Sequence, residues 1–145
     1  MNAPPDHSPA AIAAVTIRFG LWSLLAYLTL GLALEALHGF KVAWYLEFET
    51  RRLLWTLAHA HGVLVSVLTI GFGFMIQRVD PGPWQRRTAA MLLAALVLLP
   101  GGFLLGGIFV YGGDPGPAVA LAPSGGALLL AAVLSTAIRY RSRPD

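Results

Sequence analysis

The stretch from Thr88 to Tyr111, TAAMLLAALVLLPGGFLLGGIFVY, decides the fold. It carries no charged side chain from end to end and exceeds the roughly 20 apolar residues that cross about 30 Å of hydrocarbon. It shows no apolar/polar alternation, and an open strand would leave its peptide groups unpaired in lipid, so the run predicts a transmembrane helix. Three further runs meet the same requirement: Phe19 to Leu37, Leu53 to Ile76 and Ala118 to Ile138. The sequence therefore predicts an all-α, polytopic membrane protein, an antiparallel bundle of four transmembrane helices. The bundle occupies residues 17–139, between a flexible tail over residues 1–16 and a basic tail over residues 140–145.

Composition supports this class and excludes others. Of the 145 residues, 57% are hydrophobic and only 12% charged, and mean hydropathy is +0.69. A soluble domain carries about a quarter charged residues, and a disordered chain combines low hydrophobicity with high net charge. With no cysteine, disulfides, thiolate nucleophiles and iron–sulfur ligation are unavailable. No nucleophile paired with a base, no phosphate loop and no paired catalytic carboxylates occur, so an enzyme has no positive support.

The links Asp80-Pro-Gly-Pro83 and Gly112-Gly-Asp-Pro-Gly-Pro117 are turn sequences too short for anything but antiparallel neighbours. The segment from Gly39 to Arg52 mixes Phe40, Trp44, Tyr45 and Phe48 with Lys41, Glu47 and Glu49, a composition suited to the headgroup level. Arg51, Arg52, Trp55 and Trp84 read as interfacial anchors. One side of the membrane collects Arg18, Arg78, Arg86, Arg87, Arg139, Arg141 and Arg143; the other has Lys41, Arg51 and Arg52. Basic residues flanking spans stay inside, which places both termini in the cytoplasm of a cell with an inner membrane. The arginines border apolar runs and form no basic stripe, so the partner they imply is the lipid bilayer and not nucleic acid.

Small residues mark faces where membrane helices approach closely. Gly102 and Gly106 form such an element in the third span. In the second, Thr56, His59, Gly62, Ser66, Thr69 and Gly73 recur at helical steps as a bundle-facing stripe, and Gly125 and Gly126 serve the fourth. Pro100 and Pro123 predict kinks, either for packing or as broken helices lining a pathway.

Ionisable groups within apolar spans call for individual reasons. Glu35 and His38 share a face near the outer end of the first helix, and His59 and His61 lie in the outer part of the second. Two apart, His59 and His61 point nearly oppositely, and His59 lies on the polar stripe. One reading joins Glu35, His38 and His59, with His61 nearby, as a metal, haem or quinone site; the other is a Glu35-to-histidine hydrogen bond fastening two helices.

Ala36-Leu-His-Gly39, Leu57-Ala-His-Ala-His-Gly-Val-Leu64, the Gly-rich third span and Ala122-Pro-Ser-Gly-Gly126 together resemble the small four-helix membrane family called domain of unknown function 423, which includes transmembrane protein 256. The likeness covers Leu30 to Ala137. In that family the two histidines stand three apart and a threonine precedes the proline, whereas here His59 and His61 are two apart and Ala122 precedes Pro123. The resemblance implies the same architecture and no particular activity. The expected role is a structural or accessory subunit, as a homo-oligomer or in a larger membrane complex. The alternatives are a ligand-binding membrane protein using the Glu35/His38/His59 cluster and a small channel or transporter.

Overall fold

The computed structural model describes residues 8–140. Helix α1 spans Pro9–Gly39, α2 Ala43–Leu46, α3 Glu49–Met75, α4 Pro83–Ile108 and α5 Leu121–Arg139. Short 3-10 turns at Ile76–Arg78 and Pro117–Ala120 join the ends of α3 and the start of α5. Four segments are long and apolar enough to cross a membrane: Pro9–Gly39, Glu49–Arg78, Pro83–Ile108 and Pro117–Arg139.

The first helix starts well before the expected tail ends. Ser8 caps it, its hydroxyl accepting from Ala11 N at 3.2 Å, and Pro9 takes an opening position where its missing N–H breaks no bond. Burial holds the extra turns in place: Ala13 packs in a cluster with Phe72, Ile76, Ala89, Leu92 and Ala132, and Thr16 is fully buried. Residues 1–7 and 141–145 lie outside the described residues. At its other end α1 closes with Val42 N donating to Leu37 O at 3.0 Å and Lys41 N to His38 O at 3.1 Å. That reversal puts Lys41 at φ 52°, a place usually given to glycine. The aromatic segment after Gly39 thus resolves into a tight turn, the four-residue α2 and the first turn of α3.

Helix α1 packs on α3, α3 on α4 and α4 on α5, while α1 meets α4 only lightly. The centre is therefore the α3/α4 pair, with α1 and α5 flanking it. In the most apolar window of each helix, 39% of α3 and 44% of α4 is buried in protein, against 17% for each of α1 and α5. Val65, Ala95, Leu96, Leu99 and Ala122 form the middle of the core.

Glycine sets the spacing of α4 and α5. A Cβ on Gly102 would fall 2.5 Å from Ala122 N, one on Gly106 2.9 Å from Val119 Cβ, and one on Gly125 2.3 Å from Leu99 N. These backbones touch because nothing projects between them. Gly126 differs from the expectation for it, since a Cβ there would meet nothing; its position is rotated away from α4. On α3, Gly62, Ser66, Thr69 and Gly73 are buried as the stripe requires, whereas Thr56, nearest the start of the helix, is exposed. Pro123 lies in the first turn of α5, where an absent N–H interrupts no ladder, so it opens a helix instead of kinking one.

Gly125→Val should force α4 and α5 apart and lower the unfolding free energy of the purified protein by about 1–3 kcal/mol. Gly126→Val, at the neighbouring open position, should leave the unfolding midpoint close to that of the parent; equal losses at both sites would contradict the packing described.

Candidate functional site

Pro100 sits inside α4 and has no N–H to offer the Leu96 carbonyl four residues earlier. Leu96 is only 1% exposed, so this oxygen needs a donor from within the protein. Tyr27 of α1 supplies it, with Oη donating to Leu96 O at 3.1 Å. To reach α4 the ring crosses α3 at Gly62, where a Cβ would fall 2.3 Å from Tyr27 Cγ. His59, one turn nearer the start of α3, then holds the same residue by its backbone: its Nδ1 lies 2.8 Å from Tyr27 O. A carbonyl only accepts, so Nδ1 carries the proton and in the neutral ring Nε2 is left as an acceptor. The ring lies in the notch of Gly31, whose added Cβ would be 2.4 Å from His59 Cε1.

The other polar candidates separate from one another. His61 points to α4: its Nδ1 is 2.9 Å from Leu57 O in its own helix, and its ring packs on Phe103 at 5.2 Å between centroids. Glu35 and His38 are exposed near the end of α1. Glu35 and His59 line one groove of about 480 Å³ between α1 and α3, which His38 and His61 do not line. Helix fastening therefore runs from His59 to the Tyr27 carbonyl and not through Glu35. Among the described residues no three His, Asp or Glu side chains come close enough to hold a metal ion.

Arg51 takes a role that sequence reasoning missed. Its side chain is 4% exposed and turns inward: Nε donates to Gly107 O at 3.1 Å, Nη1 donates to Trp44 O, and Glu47 Oε2 lies 3.8 Å from Nη1. Gly107 belongs to the last turn of α4, whose carbonyls have no helical donors, and a guanidinium there meets the negative end of the helix dipole. The cation lies 4.1 Å from the Trp44 ring centroid and 5.2 Å from that of Phe48. Trp55 also turns inward, its Nε1 donating to Leu104 O at 3.0 Å and its ring filling the notch of Gly107. A signal did exist: Arg51, Leu54, Ala58 and Gly62 follow at steps of three and four, so the buried stripe extended backwards passes through Arg51 and not Arg52. The turn between α4 and α5 closes over this end. Tyr111 and Asp114 exchange backbone bonds of 3.0 and 2.9 Å around Gly112 and Gly113, and Thr50 Oγ1 donates to Gly113 O at 2.5 Å.

At the opposite end Arg78, Arg86, Arg87 and Arg139 are exposed, while Arg141 and Arg143 fall outside the described residues. Gln85, buried beneath them, donates from Nε2 to Ile76 O and Asp80 O, each at 3.4 Å, and so ties the start of α4 to the preceding turn. Comparison with protein-family models, curated proteins and solved structures finds no match to this chain. The family resemblance thus rests on its short motifs.

Two expectations follow from these contacts. Tyr27→Phe strands the Leu96 carbonyl and should cost about 1–3 kcal/mol of unfolding free energy. Pro100→Ala restores an N–H four residues on, so the double variant should lose less than the sum of the two single losses, as measured in a double-mutant cycle. Second, burial raises the Tyr45 phenol above its ordinary 10.0, with Arg52 pulling it down and Glu35 pushing it up. An acid whose folded pKa is raised stabilises the fold below its unfolded pKa and loses that contribution as pH rises through the folded value. Stability should therefore decline above about pH 10, and Tyr45→Phe should flatten part of that decline in alkaline unfolding curves.

Proposed function

We propose that this chain is a multi-pass protein of a cell inner membrane, with both termini cytoplasmic, acting as a structural or accessory subunit. One observation carries the reading: among the described residues the buried polar side chains all have hydrogen-bond partners within the protein, while the outer faces of α1 and α5 expose apolar side chains. Tyr27, His59, Arg51 and Trp55 each join one helix to another. Leu32 on α1 is 73% exposed and Leu130 on α5 71% exposed, in helices whose other sides are packed. Such flanking helices suit lipid on one side and a second protein on the other.

The charge pattern supports the orientation. With Arg51 withdrawn into the protein, Lys41 and Arg52 are the basic residues left near the surface at that end, against Arg78, Arg86, Arg87 and Arg139 exposed at the other and Arg18 exposed farther along α1. A transport pathway through Pro100 and Pro123 has less to support it. The carbonyl freed by Pro100 is taken by Tyr27, and Pro123 frees none within α5.

Because the chain lacks cysteine, single replacements report cleanly. Asp114→Cys should react with an impermeant maleimide added outside intact cells and Asp80→Cys only after permeabilisation; the reverse pattern would overturn the orientation. A photoreactive side chain at Leu32 or Leu130 should give an adduct of one defined mass above the 15.4 kDa monomer. Absence of any protein adduct from both positions in native membranes would overturn the accessory role.

A further inference from the structure

The groove between α1 and α3 has one chemical property that the packing role of His59 does not explain. Every polar group on it is an acceptor. His59 spends its proton on Tyr27 O, and its Nε2 has no partner and is not buried. Thr56 Oγ1 donates to Arg52 O at 2.8 Å and has only lone pairs left. Glu35, exposed at the same groove, offers a carboxylate. Leu28, Gly31, Leu32 and Leu34 supply the rest of the wall. A space of about 480 Å³ is within the range of small-molecule sites.

Acceptors alone select a donor. Gly31, against which His59 lies, is some 12 Å along α1 from its end at Gly39, and Glu35 some 6 Å, by a rise of about 1.5 Å per residue. On the membrane reading, on which this inference rests, that places Nε2 within hydrocarbon, where a neutral donor is far cheaper than an ammonium. Gly31, beside which His59 lies, and Glu35 are four residues apart on α1 and so share one face of it, and a flat ring with a hydroxyl at each end can present a donor to both acceptors. We propose that this groove binds the head of a membrane-borne hydroquinone, one hydroxyl donating to Nε2 of His59 and the other to the Glu35 carboxylate, with the ring and its tail against Leu28 and Leu32. The proposal concerns binding and includes no redox step.

The test uses the purified full chain in an amine-oxide detergent, whose head has no hydrogen-bond donor at neutral pH, under anaerobic reducing conditions. Decylhydroquinone and its dimethyl ether are titrated calorimetrically. The hydroquinone should bind at least tenfold more tightly than the ether, about one charge-assisted or well-aligned hydrogen bond. His59→Asn keeps a donor where Nδ1 was and removes Nε2, so it should abolish the discrimination while the unfolding midpoint holds. Glu35→Leu, at an exposed position, should weaken hydroquinone binding severalfold without touching the fold, and it decides the matter if His59→Asn is unstable. Equal binding of diol and ether, no binding of either, unchanged discrimination in the folded His59→Asn variant or in Glu35→Leu, or tighter binding of decylamine would each overturn the proposal. These outcomes are read on the isolated chain, so they stand apart from the crosslinking result, and the labelling pattern tests the membrane reading separately.

Discussion

One unmet hydrogen bond organises the interior. Pro100 leaves the Leu96 carbonyl without its helical donor, and that oxygen is too deep for water to serve it. The donor must come from another helix, and the reach of Tyr27 from α1 to α4 fixes how these two lie against α3 between them. Gly62 follows from this, because any side chain there would occupy the path of the ring. So does the rotation of α3. With Gly62 set under Tyr27, His59 three residues earlier comes onto the α1 side, and His61, about 200° further round, comes onto α4. A defect in one helix thus specifies the register of three.

Much of this architecture was legible in the residues. The hydropathy runs located the four long helices; Gly102 and Gly125 lie where α4 and α5 meet, and Gly106 lies against the 3-10 turn that precedes α5. What failed did so for identifiable reasons. Apolar length says where hydrocarbon could lie, not where a helix stops, so α1 begins at Pro9 and α3 at Glu49, beyond the apolar cores of their runs. Pro123 was read against a span starting at Ala118, whereas a 3-10 turn occupies Pro117–Ala120 and moves the proline to a helix start. Pro100 announced an orphan carbonyl, but nothing in a linear sequence tells which of several hydroxyl or indole groups will serve it. The expected partner of His59, Glu35, lost to a main-chain carbonyl because Gly31 lets the imidazole settle against the α1 backbone.

The same contact decides what His59 can do. A histidine that fastens helices is usually regarded as spent, yet only one of its nitrogens is used here. Fixing the proton on Nδ1 makes the other nitrogen an acceptor of known direction, at the wall of a groove whose remaining polar groups are acceptors too. Structural use and the proposed ligand recognition then both trace to a single bond. The scattering of Glu35, His38 and His61 argues in the same direction: where three ligands do not converge, recognition by hydrogen bonds is the chemistry that the arrangement allows.

Arg51 raises the opposite problem, a charge buried with little to neutralise it. Glu47 stands 3.8 Å away but is itself 55% exposed, so the pair is weakened by solvent. The compensation comes from dipoles and rings: a terminal carbonyl of α4, a carbonyl of α2, and the faces of Trp44 and Phe48. A planar guanidinium can meet in-plane carbonyls and out-of-plane aromatic faces at once, which a lysine ammonium cannot do with the same geometry. Arg51 and Arg52 are adjacent and chemically identical, yet a rotation of about 100° puts one in the protein and the other near its surface. The buried one joins α2, α3 and α4 at one end of the bundle, and Thr50 beside it secures the turn leading to α5. That end is therefore locked by directional bonds, while the long apolar flanks of α1 and α5 carry none. A partner meeting those flanks would find a surface fixed in shape but not in chemistry, the condition under which packing by small and branched side chains, more than polar pairing, selects what binds.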